Sequence, residues 1–527
     1  MLNTPKSLRG MVTSPHHLAS QAGLSVLQDG GTAVEAGVAI AACLAAVYPH
    51  MTGIGGDGFW LIAEPDGDVH AVDACGGAAQ KADLDLYARA GLAAVPWRGP
   101  LAANTVAGTI SGWQAALATD PGVLPLERLL RDAIAYADAG VVVTAGGAHI
   151  ARAKDAELRD VPGYAAQFRP GGAILTEGSV LKQPALAETL RRLAANGLQD
   201  YYDGAIARDI AADLAAAGSP VSAADLAAHA ATTPPPLTVR IDGARLYNTA
   251  PPTQGVASLL ILALFDRLAA GEADGFDHVH GLVESTKQAF LFRDEHVGDS
   301  AYMMVDPQAL LDDKAALDAM AARIDPARAL PWPWPSQAGD TCWFGAIDGE
   351  GRVASVIQST YFEFGSGVVL PQTGITWQNR GASFVLATDG WNALKPGRKP
   401  FHTLNPALAR FDDGRVMAYG TMGGEGQPQT QSALFSRYAR FGVPLQTAIT
   451  APRWLLGKTW GEESVTLKLE DRFDPGVIAA LRDAGHDVEL LDPFTATMGH
   501  AGALVLHPDG VIEGATDPRS DGAVAAW

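Results

Sequence analysis

Apolar positions in the first half of the chain recur at helical spacing. Leu186, Leu190 and Leu193 share one helical face, with Pro184 near the start and Gly197 past the end. Ile206, Ile210 and Leu214 repeat every four residues, and residues 127–139 form another amphipathic helix candidate. Residues 36–48 are apolar almost throughout, too short to span a bilayer, and predict a buried helix. Later the period shortens. Within residues 239–247, two β-prone runs flank Asp242-Gly243, a hairpin signal. Residues 341–347 read as a strand, turn at Asp348-Gly349-Glu350-Gly351, and return over 353–359. A second hairpin is predicted from 407–411 and 416–419 around Asp412-Asp413-Gly414, and helices near 428–440 and 475–484. Between the halves, Pro331-Trp332-Pro333-Trp334-Pro335 fits neither a helix nor a central strand and reads as an exposed connector. Helices combined with antiparallel strands predict an α+β layered fold.

Composition narrows the function. The 527 residues are 48% hydrophobic and 18% charged, a globular balance, and 58 glycines imply many tight turns or close backbone approaches. A net charge of −20 disfavours nucleic acid and anionic membrane surfaces as partners. Cys43, Cys75 and Cys342 form no CxxC pair and no metal-like spacing, and their odd number argues against a disulfide framework. Residues 1–17 lack the apolar core of a signal peptide, so a cytoplasmic location is expected. No ligand cluster implies a metal or an organic cofactor.

Two segments carry chemistry. A threonine hydroxyl in mid-chain has no base. If the chain breaks between Asp340 and Thr341, in Gly339-Asp340-Thr341, the new α-amino group shares a residue with the hydroxyl. Its reference pKa of about 7.7–8.0 makes part of it a neutral base near pH 7. Alone, the tripeptide is no more than a turn before a strand. Gly420-Thr421-Met422-Gly423-Gly424-Glu425-Gly426 follows a predicted strand and precedes a helix. Consecutive glycines let backbone N–H groups converge on one point and hold a developing oxyanion, or they simply make a strand-to-helix turn. No Lys-Ser/Thr follows, as a P-loop would require.

Further motifs stand in order along the chain: Ser14-Pro15-His16-His17, Asp29-Gly30-Gly31-Thr32-Ala33, Thr52-Gly53-Ile54-Gly55-Gly56-Asp57-Gly58-Phe59, Pro251-Pro252-Thr253-Gln254-Gly255, Phe364-Gly365-Ser366-Gly367 and Asp517-Pro518-Arg519-Ser520-Asp521-Gly522. Together they resemble the γ-glutamyltransferase family from Met11 to the C-terminus. The resemblance implies a four-layer αββα fold of N-terminal-nucleophile hydrolases. It implies autocleavage into a large subunit, 1–340, and a small one, 341–527, which stay together as one αββα domain and can dimerise as a pair. It also implies that Thr341 is the nucleophile, that Gly423 and Gly424 supply oxyanion-hole amides, and that Ser359 places a hydroxyl near the nucleophile.

The departures bear on substrate. Typical members read the γ-glutamyl α-carboxylate with an arginine where Val72-Asp73-Ala74-Cys75 ends in a thiol, which cannot make a bidentate carboxylate contact. The family's asparagine is Tyr361, its acidic pair is Ala382-Ser383, and its Ser-Ser before methionine is His402-Thr403 before Leu404. The groups expected to read the glutamyl head are thus missing. Arg380 is either a substitute cation for a carboxylate substrate or a surface arginine in an ion pair. His402 either donates to substrate or packs against Phe401. Tyr361 either narrows the pocket or is a surface strand aromatic. Cys342, alternating to the other strand face, reads as core. Residues 362–431 are similar to the oxamate amidohydrolase-like subgroup of that family. The expected substrate is therefore a small carboxylate-bearing amide. A γ-glutamyl hydrolase or transferase is the alternative, and an uncleaved binding scaffold the third reading.

Overall fold

The computed structural model describes residues 3–120, 122–333, 340–457 and 464–527. Trp334 and Pro335 of the connector, and Gly339 of the nucleophile motif, lie outside them; Pro331 and Pro333 are exposed.

Among the described residues two antiparallel sheets dominate. Their strands are β1 (Lys6–Ser7), β2 (Met11–Ser14), β3 (Asp57–Ala63), β4 (Val69–Ala74), β5 (Leu237–Ile241), β6 (Ala244–Asn248), β7 (Asp340–Ile347), β8 (Val353–Tyr361), β9 (Ala407–Phe411), β10 (Val416–Thr421), β11 (Ala501–Leu506), β12 (Ile512–Thr516) and β13 (Ala523–Ala526). One sheet runs β1-β12-β11-β10-β9-β6-β5, the other β13-β2-β7-β8-β3-β4. Alternation along each strand feeds separate apolar layers. On β7, Cys342, Phe344 and Ala346 join the core under the first set of helices, while Trp343 and Ile347 face the opposite sheet. On β10, Met417 and Tyr419 enter the core under the second set, while Val416 and Ala418 meet Trp343 and Ile347. The helix-side layers are roofed by α1 (His17–Gln28), α2 (Ala33–Val47) and α3 (Leu126–Ala139) on one sheet, and by α4 (Gly255–Phe265), α5 (Phe276–His296) and α6 (Gln427–Ala439) on the other. Three apolar layers between four structural ones make this an αββα sandwich.

Trp343 locks the sheets together. A Cβ on Gly420 would lie 2.1 Å from the indole Cδ1, and one on Gly502 would lie 2.6 Å from Cζ3. The ring thus fills a slot that only glycines leave open, and its Nε1 donates to Ser355 Oγ at 3.0 Å.

The predicted helices over 127–139, 36–48, 428–440 and 475–484 form close to those limits, as Leu126–Ala139, Ala33–Val47, Gln427–Ala439 and Pro475–Asp483. Those around Leu190 and Ile210 span Pro184–Asn196 and Ala205–Ala217. The predicted hairpins pair as β5–β6, β7–β8 and β9–β10. Among the described residues no helix is long and apolar enough to cross a membrane.

Candidate active site

Thr341 stands at the start of β7 and is buried. Its position shares the parity of Trp343 and Ile347, which face the space between the sheets. Opposite it the ladder is irregular. Gln358 pairs with Cys342, yet Tyr361 pairs with Asp340, so Ser359 and Thr360 together oppose Thr341. This is a β-bulge, a device that re-aims side chains beside functional sites. Ser359 Oγ accepts the Tyr361 amide at 2.7 Å, and Tyr361 takes φ +85°.

The glycine loop closes over the same end. β10 ends at Thr421, Gly423 and Gly424 take φ of +117° and +51°, and a short 3₁₀ turn, Gly424–Gly426, leads into α6. This glycine turn precedes a helix N-terminus, where unpaired backbone N–H groups and the helix dipole give positive potential. The first residue of α6, Gln427, donates from Nε2 to Thr341 Oγ1 at 3.1 Å, and its Oε1 accepts the Asn405 amide at 3.3 Å. The loop is braced from behind. Gln254 Nε2 donates to the carbonyls of Gly424 and Thr403, at 2.8 and 2.7 Å. Arg293 then holds Gln254 Oε1 at 3.0 Å and Glu425 at 2.8 Å, all buried.

Beside Tyr361 lies a second cluster. Arg380 is buried, its guanidinium stacked 3.6 Å from the centre of the Tyr361 ring, and its NH2 donates to Thr403 Oγ1 at 3.2 Å. Among the described residues its Nε and NH1 have no hydrogen-bond partner. Burial lowers its pKa, against the pull of Tyr361, Asp57 and Cys75. The surface ion-pair alternative for Arg380 and the surface alternative for Tyr361 are therefore both overturned. His402 Nε2 lies 3.0 Å from Asp57 Oδ2, Leu404 N–H donates to its Nδ1 at 3.3 Å, and its ring meets Phe59 edge-on at 4.8 Å. Burial holds its pKa well below the usual imidazole value. Ser383 donates its hydroxyl to the Phe401 carbonyl at 3.2 Å. Cys342 is buried in the helix-side core, as its strand parity predicts.

A profile described as Gamma-glutamyltranspeptidase matches residues 19–527. The chain belongs to the gamma-glutamyltranspeptidase family. It is an amide-hydrolysing enzyme with the family's αββα fold. The oxamate amidohydrolase proenzyme of Klebsiella pneumoniae is 54% identical over 525 residues, covering 99% of each chain. The glutathione hydrolase-like YwrD proenzyme of Bacillus subtilis is 38% identical, covering 97% of each. Among solved structures, cephalosporin acylase from Bacillus halodurans is similar with a TM-score of 0.92 and 31% identity, over 100% of this chain and 97% of that one.

Within this family frame, sequence reading missed Asp57 and Gln427. Asp57 is a lone carboxylate in Gly55-Gly56-Asp57-Gly58, and an acid among glycines in an apolar run is itself a signal of a buried, caged charge. Gln427 follows Gly-Gly-Glu-Gly, where a helix must start. Asp57, Cys75 and His402 lie close enough to suggest metal ligation, as do His280, Glu284 and His486. In the first group the Asp57 oxygens already accept from Gly76 N, Gly108 N, Gln378 Nε2 and His402. In the second, Lys287 and the Leu330 amide occupy Glu284, at 2.7 and 3.1 Å. Both groups read as hydrogen-bond networks.

Proposed function

We propose that the chain is a self-processing amidohydrolase that hydrolyses a small carboxylate-bearing amide, oxamate-like, to the carboxylate and ammonia through Thr341. The observation that carries the substrate class is the buried Arg380, with two guanidinium nitrogens lacking partners among the described residues. Each unsatisfied buried donor costs about 1–3 kcal/mol, which a substrate carboxylate would recover. The group that typical members use for a substrate ammonium is Ser383 here, with its hydroxyl committed to a backbone carbonyl. A γ-glutamyl head would therefore lose its acidic partner, whereas an oxamate-like acid needs none. The 54% identity to a protein named for oxamate supports the same reading.

In this reading the chain breaks between Asp340 and Thr341, giving subunits 1–340 and 341–527 that remain one domain. The freed α-amino group takes the Thr341 hydroxyl proton, directly or through one water. Oγ1, oriented by Gln427 and with Ser359 opposite, attacks the amide carbon. The Gly423 and Gly424 amides hold the tetrahedral oxyanion. The ammonium returns its proton to the leaving nitrogen, the C–N bond breaks and ammonia departs. Water then attacks the acyl ester, activated by the same amine, and frees the acid and Thr341. Arg380, stacked on Tyr361 and tied to Thr403, holds the carboxylate, with His402 beside it. The three buried free thiols suit a reducing, cytoplasmic setting.

The test is direct. Purified protein should show two bands on a denaturing gel, the smaller beginning at Thr341, and should release ammonia from oxamate faster than p-nitroaniline from a γ-glutamyl anilide. Thr341→Ala should give one uncut, inactive chain. Two bands from that variant, or the reverse substrate order, would sink the proposal.

A further inference from the structure

Asp57 is caged. Oδ1 accepts from Gly76 N at 3.2 Å, Gly108 N at 3.1 Å and Gln378 Nε2 at 3.1 Å, while Oδ2 faces His402 Nε2 at 3.0 Å. The cage cannot retreat. A Cβ on Gly76 would lie 1.7 Å from Val106 O, and one on Gly108 would lie 1.9 Å from Ala74 O, so these donors sit on closely packed backbone. Asp57 therefore cannot swing out to meet Arg380 or a ligand. It can respond only by changing its proton count. The Leu404 amide on His402 Nδ1 places the neutral ring's proton on Nε2, where it donates to Asp57.

The neighbouring charges can be counted. Arg380 and Cys75 face Asp57, Tyr201 and Tyr202 approach it from the helix Asp200–Asp203, and Lys399 acts on His402. Burial raises the thiol and both phenols, which therefore stay neutral. Lys399 is paired with Asp73 at 2.7 Å. Among the described side chains the pocket thus balances one cation, Arg380, against one anion, Asp57, and the α-amine of Thr341 adds no charge in the neutral form that catalysis needs. A carboxylate arriving on Arg380 adds a buried negative charge with nothing to offset it.

Accepting the carboxylate reading above, we propose that the Asp57–His402 pair gains one proton when an anion binds Arg380, and so restricts the pocket to monoanions. Linkage gives the sign. The protonated pair favours the anion, and the anion favours the protonated pair. Affinity is highest below the empty site's titration and falls as pH rises through it. Burial lifts the Asp57 carboxyl to about 7, against the pull of Arg380 and its hydrogen-bond donors, so the loss lies above pH 7.

The experiment measures KM for oxamate on the cleaved enzyme from pH 6 to 9, with pyruvate and oxalate as competing mono- and dianions. KM should rise towards a slope of about tenfold per pH unit above 7, the signature of one proton. Pyruvate should inhibit at least about tenfold better than oxalate at pH 8, a difference of about 1.4 kcal/mol. Asp57→Asn should flatten the KM profile. Because the Thr341 α-amine titrates in the same range, His402→Gln gives a second reading if that variant fails to fold: it should move the pH at which KM turns, and a turn left in place belongs to the α-amine and overturns the proposal. A flat wild-type profile, or oxalate binding as well as pyruvate, overturns the proton coupling while Arg380→Met still raises KM. If Arg380→Met leaves KM unchanged, or oxamate is not turned over, the carboxylate reading itself fails and this inference falls with it.

Discussion

Gln427 shows how much one side chain contributes at this site. Its amide is pinned at Oε1 by the Asn405 N–H, leaving Nε2 aimed at the Thr341 hydroxyl. A neutral hydrogen bond of this kind contributes about 1 kcal/mol, or five- to tenfold in rate when it is made in the transition state. Gln427→Ala should therefore lower kcat for oxamate by about that factor, with KM little changed; an equal loss expressed only in KM would place Gln427 on the substrate instead. Thr341 could be proposed from motif order, and Arg380 and His402 from the segments where the chain departs from its family. Whether Arg380 was surface or buried was not legible, since burial is a property of what packs over a residue. Asp57 was hidden for a related reason. Its neighbours in sequence are glycines, while the groups that define it, His402 and Gln378, lie more than three hundred residues away.

At the scale of elements, amphipathic helices and two-residue turns were readable because one face meets water. Helix α5 was not. His278, His280, Glu284, Lys287 and Arg293 are all buried within it, so no polar stripe marks its period. Strands β3 and β4 were missed for a similar reason: Phe59, Trp60, Leu61 and Ile62 are buried on both faces, which erases the two-residue alternation. Elements also carry the precision of the site. Trp343, two residues beyond the proposed nucleophile, sits against Gly420, three residues before Gly423. The strand of the proposed nucleophile and the proposed oxyanion loop are thereby set by one contact. Gly420→Ala should force the indole aside, costing about 1–3 kcal/mol of stability. It should lower kcat more than KM, as read by a fall in melting temperature alongside steady-state kinetics; an unchanged kcat would separate packing from alignment.

At the scale of the whole molecule, strand pairing crosses the proposed break in both sheets. Strands β7 and β8 lie between β2 and β3, and β9 to β12 lie between β1 and β6. Each sheet thus alternates between the parts on either side of the proposed break. Cutting before Thr341 would change covalent connectivity and leave the strand pairings across the break in place. The consequence concerns ancestry of the pieces. Every small chain should remain for life with the large chain from which it was cut, because removing it means opening both sheets at once. Mixing isotopically heavy and light cleaved enzyme should yield no hybrid pairs by native mass spectrometry over days, and appearance of hybrids would show that the sheets open. Separately expressed halves should likewise fail to find each other, since each holds only part of either sheet.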